Sequence, residues 1–146
     1  MFSFRERELF IEKAKKLASI CVENNFEGID VMVGLKVGLL CSYYDGIGPE
    51  WSTTVIVGIV EHIDHFFEPA AFLLDVQYHA KEDRSVESFL LCNKWFFNNC
   101  VKLIKNKYGW WRPKRYRLLK SASILYNACN EHGLDSWINR GNLHAK

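Results

Sequence analysis

Residues 66–104 read FFEPAAFLLDVQYHAKEDRSVESFLLCNKWFFNNCVKLI. Pro69 stands where the first turn of a helix tolerates it, because a first-turn N–H has no intrahelical acceptor. Ala71, Asp75 and Tyr78 then recur on one face, with Leu74 alongside, which predicts a helix running to about Ala80. The charged connector HAKEDR follows, and Ser85 is placed to cap a second helix. In that helix Val86, Phe89 or Leu90, Asn93, Phe96 or Phe97, Cys100 and Leu103 or Ile104 make one stripe at intervals of three and four. Two helices with so short a connector are expected to pack antiparallel. Each carries one polar residue on a face that is otherwise apolar, Asp75 on the first and Asn93 on the second. An unpaired polar group in a core costs about 1–3 kcal/mol, so these two residues either satisfy each other's neighbourhood or face a ligand.

Outward from this pair, Ser3 and Glu6 have capping-box spacing, and Phe10, Ala14, Leu17 and Cys21 predict an amphipathic helix from Ser3 to Asn24. Residues 28–44 fit either a short β-hairpin or a buried helix; their β-branched residues and three glycines point to the hairpin. Residues 45–51, DGIGPEW, form a turn whose backbone either connects two elements or offers carbonyls and amides to an ion. Residues 52–66 are expected to be helical, capped by Ser52. On the other side, Gly109 ends the second core helix, Trp110 and Trp111 occupy the turn, and Pro113 opens a last helix. Leu118, Ala122, Leu125 and Cys129 are its inward stripe and Gly133 its stop. Beyond Trp137 and Ile138 the tail is short of core-forming residues and is expected to fray.

The fold class is therefore mainly α, or α+β if the hairpin forms. A length of 146 residues, 49% hydrophobic and 25% charged, fits a single globular domain over 1–146. Its parts are an N-terminal helix and hairpin (1–44), a helical core (45–137) and a tail (138–146). No apolar run approaches the roughly 20 residues that span a bilayer, and the N-terminal FRERELF is charged, so a soluble, cytoplasmic protein is expected. Five widely spaced cysteines without a CxxC pair indicate neither a disulfide framework nor a structural zinc site. The net charge is only +2, but residues 102–120 hold eight Lys and Arg and no acid, whereas residues 45–87 hold nine Asp and Glu against Lys81 and Arg84. Such asymmetry marks either a solvated surface or a binding face.

The order DGIGP, FFEPAAFLLDVQY, charged connector, CNKWFFNNCVKLI and ILYNACNEHG resembles a group of small phage and prophage proteins related to the phospholipase A2 fold, over about Asp45 to Trp137. The resemblance implies a His-Asp pair and a tyrosine on the first core helix, and an aspartate on the facing helix. It also implies calcium held by the glycine loop and the first aspartate. By position Leu74 stands for the histidine, Asp75 for the calcium ligand, Tyr78 for the tyrosine and Asn93 for the orienting aspartate. Leucine accepts no proton, so the usual general base is missing. Calcium takes about six to eight oxygen ligands, and one carboxylate is identifiable. The resemblance thus implies a pseudoenzyme of a phage-infected bacterial cell.

Three other groups bear on function. Glu61, His62, Asp64, His65 and Glu68 cluster, so His62 and His65 are weak metal candidates, with Asp75 or His79 as a further ligand. The same histidines and Asp75 define the rival reading, a lipid or ester hydrolase with a rearranged site. Trp110, Trp111, Arg112, Lys114, Arg115 and Tyr116 interleave aromatic and basic residues, a composition enriched in protein-interaction hot spots. The segment also suits nucleic acid, through phosphate contacts and base stacking, or an anionic membrane surface. The favoured expectation is a catalytically inactive, protein-binding or inhibitory module, without a catalytic residue or an obligatory cofactor, that contacts a host or phage protein through this segment.

Overall fold

The computed structural model describes residues 4–32, 35 and 66–145, and all regular structure among them is helical. The elements are α1 (Phe4–Glu23), a 3-10 turn (Ile29–Met32), α2 (Glu68–Ala80), α3 (Val86–Lys107), α4 (Pro113–His132) and α5 (Leu134–Ala145). The glycine turn at 45–51, His62 and His65 lie outside the described residues, as do Ser3 and all of the helix expected over 52–66 except Phe66, which is in a turn.

The helix ends obey their caps. Ser85 Oγ accepts the Ser88 backbone N–H at 3.1 Å. Asp83 in turn accepts the Ser85 N–H at 3.0 Å, which holds its carboxyl below the usual range. Pro113 opens α4. At the end of α1, Phe26 N–H donates to Cys21 O and Asn25 N–H to Val22 O, both at 3.0 Å, with Asn25 in the left-handed region at φ 52°. That is a Schellman ending, and the buried Phe26 supplies its apolar contact.

α2 and α3 run antiparallel: Phe66, just before α2, meets Tyr108 at the end of α3, while Tyr78 near the end of α2 meets Phe89 near the start of α3. α2 is the centre of the molecule. Nine of its 13 residues are buried, so it is enclosed on several sides rather than along one stripe. α1, the 3-10 turn, α3 and α5 all pack on it. Phe72, Leu73 and Val76 are fully enclosed, whereas Ala71 and Asp75, on the face expected to point inward, are only half-buried. On α3, Phe89, Cys92, Phe96, Cys100 and Ile104 face the core, and Val86 and Leu90 face out.

Ile29–Met32, the start of the expected hairpin, is a 3-10 turn instead; residues 36–44 lie outside the described part. Tertiary hydrogen bonds override the β-branched composition here. Asn99 accepts the Glu27 N–H at 2.8 Å and donates to Glu27 O at 3.2 Å. Asn98 donates to the Glu27 carboxylate at 2.8 Å, Asn106 to Asn24 Oδ1 at 2.7 Å, and Gln77 to Gly28 O at 3.3 Å. This clamp requires Gly28, whose φ is +80° and where a Cβ would lie 2.3 Å from Gln77 Nε2 and 2.6 Å from Trp95 Cε3. Gly28→Ala is expected to cost about 1–3 kcal/mol in urea unfolding, the usual scale of forced backbone strain.

The tail expected to fray beyond Trp137 and Ile138 is helical to Ala145. After Gly133 the chain turns directly into α5, because Trp137 is 1% exposed and anchors the segment to α2 and α3.

Candidate functional site

Tyr78 and Asn93 meet in the core. Tyr78 Oη donates to Asn93 Oδ1 at 2.6 Å, and Asn93 Nδ2 donates to Asn130 Oδ1 of α4 at 3.0 Å. Asn93 is fully buried, so the amide uses both ends on protein partners, as buried polar groups do. Three helices are tied by this one chain. Around it Tyr78 packs edge-on against Trp137 at 5.5 Å between ring centroids, and Phe89 lies 5.9 Å from each. Gly133 lets α5 come this close: a Cβ there would sit 2.8 Å from Tyr78 Oη.

Arg84 closes the far side. Its guanidinium lies 3.7 Å from the Trp137 ring centroid, donates to Tyr78 O at 2.8 Å and to Lys81 O at 3.3 Å, and also donates to Trp137 O. Trp137 Nε1 returns a hydrogen bond to Arg84 O at 3.3 Å. The arginine therefore caps the last carbonyls of α2 while stacking on α5.

Chemically, this cluster holds a phenol and two amides, and none of these is a base at neutral pH. Leu74, at the position where the resemblance implies the histidine, is buried in the hydrophobic core. Asp75 is half-buried toward α4: the Cys129 thiol is pushed up to about 12 by burial first, and then by the neighbouring Asp75 charge. Tyr78→Phe leaves Asn93 Oδ1 buried without its donor, and a loss of about 1–3 kcal/mol is expected in denaturant unfolding, with no change of fold.

The buried thiols are equally unreactive. Cys21 donates to Pro69 O at 3.3 Å, and burial pushes its pKa to about 12; burial takes Cys92 to about 11 and Cys100 well above its ordinary value. In the native protein Cys21, Cys92, Cys100 and Cys129 are expected to resist iodoacetamide at pH 8, becoming labelled only in denaturant; peptide mapping by mass spectrometry checks this. Among the described residues no group of three His, Cys, Asp or Glu side chains is placed to hold a metal ion. A surface groove of about 520 Å³ between α1 and the start of α2 is lined by Glu12, Lys13, Lys16, Leu17, Ile20 and Glu68. Its Lys13–Glu68 ion pair spans 3.1 Å, and none of the expected catalytic positions reaches it.

The α3–α4 turn is different in kind. Trp110 and Trp111 are 70% and 67% exposed, and Tyr116 is 56% exposed. The two indoles stand perpendicular at 6.1 Å, and Tyr116 Oη donates to Trp110 O at 2.7 Å, fixing the turn against α4. Trp111 lies over Gly109, where a Cβ would come within 2.6 Å of the ring. Lys107 and Lys114 sit 5.9 and 5.6 Å from the Tyr108 ring. Lys105, Arg112, Arg115, Arg117 and Lys120 make no ion pair among the described residues. The tryptophans are thus not absorbed into the core; next to them in the chain Arg112, Lys114 and Tyr116 are exposed and Arg115 is half-buried.

Asn130, Arg84 and the role of Trp137 escape a reading of the sequence alone. Asn130 follows Cys129 of the inward stripe and carries the same signal as Asn93, a polar residue beside an apolar row. Arg84 has no such signal, because it sits in a charged connector. No helix among the described residues is long and apolar enough to cross a membrane. Comparisons with protein families, with curated proteins and with solved structures find no match for this chain.

Proposed function

We propose that this chain is a catalytically inactive relative of the phospholipase A2-like phage proteins and works as a protein-binding or inhibitory module, using the aromatic and basic turn between α3 and α4. One observation carries the reading: two adjacent tryptophans, 70% and 67% exposed, stand at the turn beside cations that make no ion pair among the described residues. Exposing indoles is unfavourable for a free chain, and Trp, Tyr and Arg are the residue types that dominate binding hot spots. The polar cluster at Tyr78, Asn93 and Asn130 supports the same reading, since its groups satisfy one another and none of the three is a base.

The test has two arms. With calcium and phospholipid vesicles, the protein is expected to release no fatty acid above the blank; calcium-dependent hydrolysis abolished by Asp75→Ala would establish the rival, a hydrolase with a rearranged site. With the wild-type chain as bait in a bacterial lysate, any specific partner is expected to be absent from the Trp110→Ala/Trp111→Ala bait. A partner retained equally by both baits contradicts the assignment of the turn.

A further inference from the structure

We infer that the partner of this turn is an acidic protein segment, one that sets an apolar side chain against the indoles and carboxylates against the surrounding cations. The inference rests on the proposed binding role of the turn and adds the chemistry of what is bound.

The charge pattern carries the argument. The N-terminal end of a helix is positive, and acids there stabilise it by about 0.3–1 kcal/mol each, while cations do the reverse. α4 breaks this rule: its N-cap is Arg112, no side chain caps it, no acid lies in its first turn, and Lys114, Arg115 and Arg117 follow. Lys105 and Lys107 add to the same end from the last turn of α3. Between residues 102 and 120 there is no acid at all. Such an arrangement lowers the stability of the free chain and is relieved by an anionic partner, whose carboxylates accept from the guanidinium and ammonium groups; Pro113 brings no N–H and Arg115 N–H already donates to Arg112 O at 3.1 Å, so the side chains carry the contact.

The geometry separates a protein from other polyanions. The two indoles are perpendicular, and one covers Gly109, so they do not present the parallel, separated faces on which successive bases stack. Insertion into a bilayer would take the cations around the indoles away from water without supplying carboxylates, which hydrocarbon penalises by about 2.5–3.5 kcal/mol for each Arg or Lys. A carboxylate-bearing polypeptide meets both needs.

The experiment pans a random 12-residue peptide library against the 146-residue wild-type chain, with the Trp110→Ala/Trp111→Ala chain as counter-selection. Selected peptides are expected to carry Asp or Glu flanking an apolar residue. In titration calorimetry they are expected to lose about tenfold or more in affinity for Arg112→Glu/Arg115→Glu, and to weaken between 50 and 300 mM NaCl. The same variant is expected to melt about 1–4 °C higher than wild type, because its acids suit the helix end, which excludes unfolding as the cause of lost binding. Neutral or basic peptides, or equal affinity for the Arg112→Glu/Arg115→Glu variant, overturn the acidic partner while leaving the binding turn in place. Failure to select any peptide that distinguishes wild type from the tryptophan variant overturns the binding role itself. Oligo(dT) or phosphatidylserine vesicles that bind at the same salt through the same residues overturn the protein assignment.

Discussion

Trp137→Ala is expected to lower the unfolding free energy by about 3–5 kcal/mol, the range for removing a large buried aromatic. Among the described side chains of α5 only Ser136 and Trp137 are buried, so the helix hangs largely on one residue. A Trp buries roughly 150–250 Å², which at about 25 cal/mol per Å² corresponds to about 4–6 kcal/mol before any relaxation. The change also removes the surface on which Arg84 stacks, 3.7 Å from the ring centroid. Hydrogen exchange should locate the damage: amides of residues 134–145 lose protection first, because α5 detaches before α2–α4 open. Arg84→Lys keeps the charge but not the planar fork, and is expected to cost a smaller part of the same stability, about 1–2 kcal/mol. Equal protection of α5 in wild type and Trp137→Ala would show that the helix is held by something other than this contact. For a domain of typical stability, about 5–15 kcal/mol, a loss of this size is large enough to detach the C-terminal helix.

Trp110→Ala/Trp111→Ala is expected to leave the unfolding free energy within about 0.5 kcal/mol of wild type, because both indoles are mostly in water. Binding should respond in the opposite sense. Hot-spot tryptophans cost about 2 kcal/mol or more each on truncation, so the double variant is expected to bind partner peptides at least about 100-fold more weakly. A protein that loses stability but keeps its affinity would assign these residues to packing. The contrast with Trp137 is instructive, since three tryptophans of one chain are expected to have opposite roles set by burial alone.

Much of the frame was legible before any coordinates. Pro69, Ser85, Gly109 and Pro113 mark helix ends by chemistry that acts locally, and α2, α3 and α4 begin and end where those residues place them. The inward stripe of α4, Leu118, Ala122, Leu125 and Cys129, is buried as its spacing implies. What depends on tertiary contact was not legible. Nothing in the local pattern reveals that α2 is enclosed on several sides, so Ala71 and Asp75 were expected deeper than they are. Glu27 and Gly28 are held by Asn98, Asn99 and Gln77, roughly 50 and 70 residues away in sequence. Such distant hydrogen bonds fix the chain just before Ile29–Met32, which forms a 3-10 turn against its β-branched composition. The tail was expected to fray for lack of apolar residues, yet one tryptophan in a prepared aromatic pocket holds it. At the candidate site, Asn93 was recognisable as a misplaced polar residue, and its partner Tyr78 was named with it. Asn130 and Arg84, which complete the arrangement, were not.

The central claim is that Tyr78, Asn93 and Asn130 hold the fold together while the turn at Trp110 and Trp111 makes the contacts. Titration calorimetry of one selected acidic peptide against three proteins tests it most directly: wild type, Tyr78→Phe and Trp110→Ala/Trp111→Ala. The account predicts wild-type affinity for Tyr78→Phe despite its lower stability, and no measurable binding by the tryptophan variant. Affinity lost in Tyr78→Phe at a temperature where it is fully folded, and kept by the tryptophan variant, would contradict it.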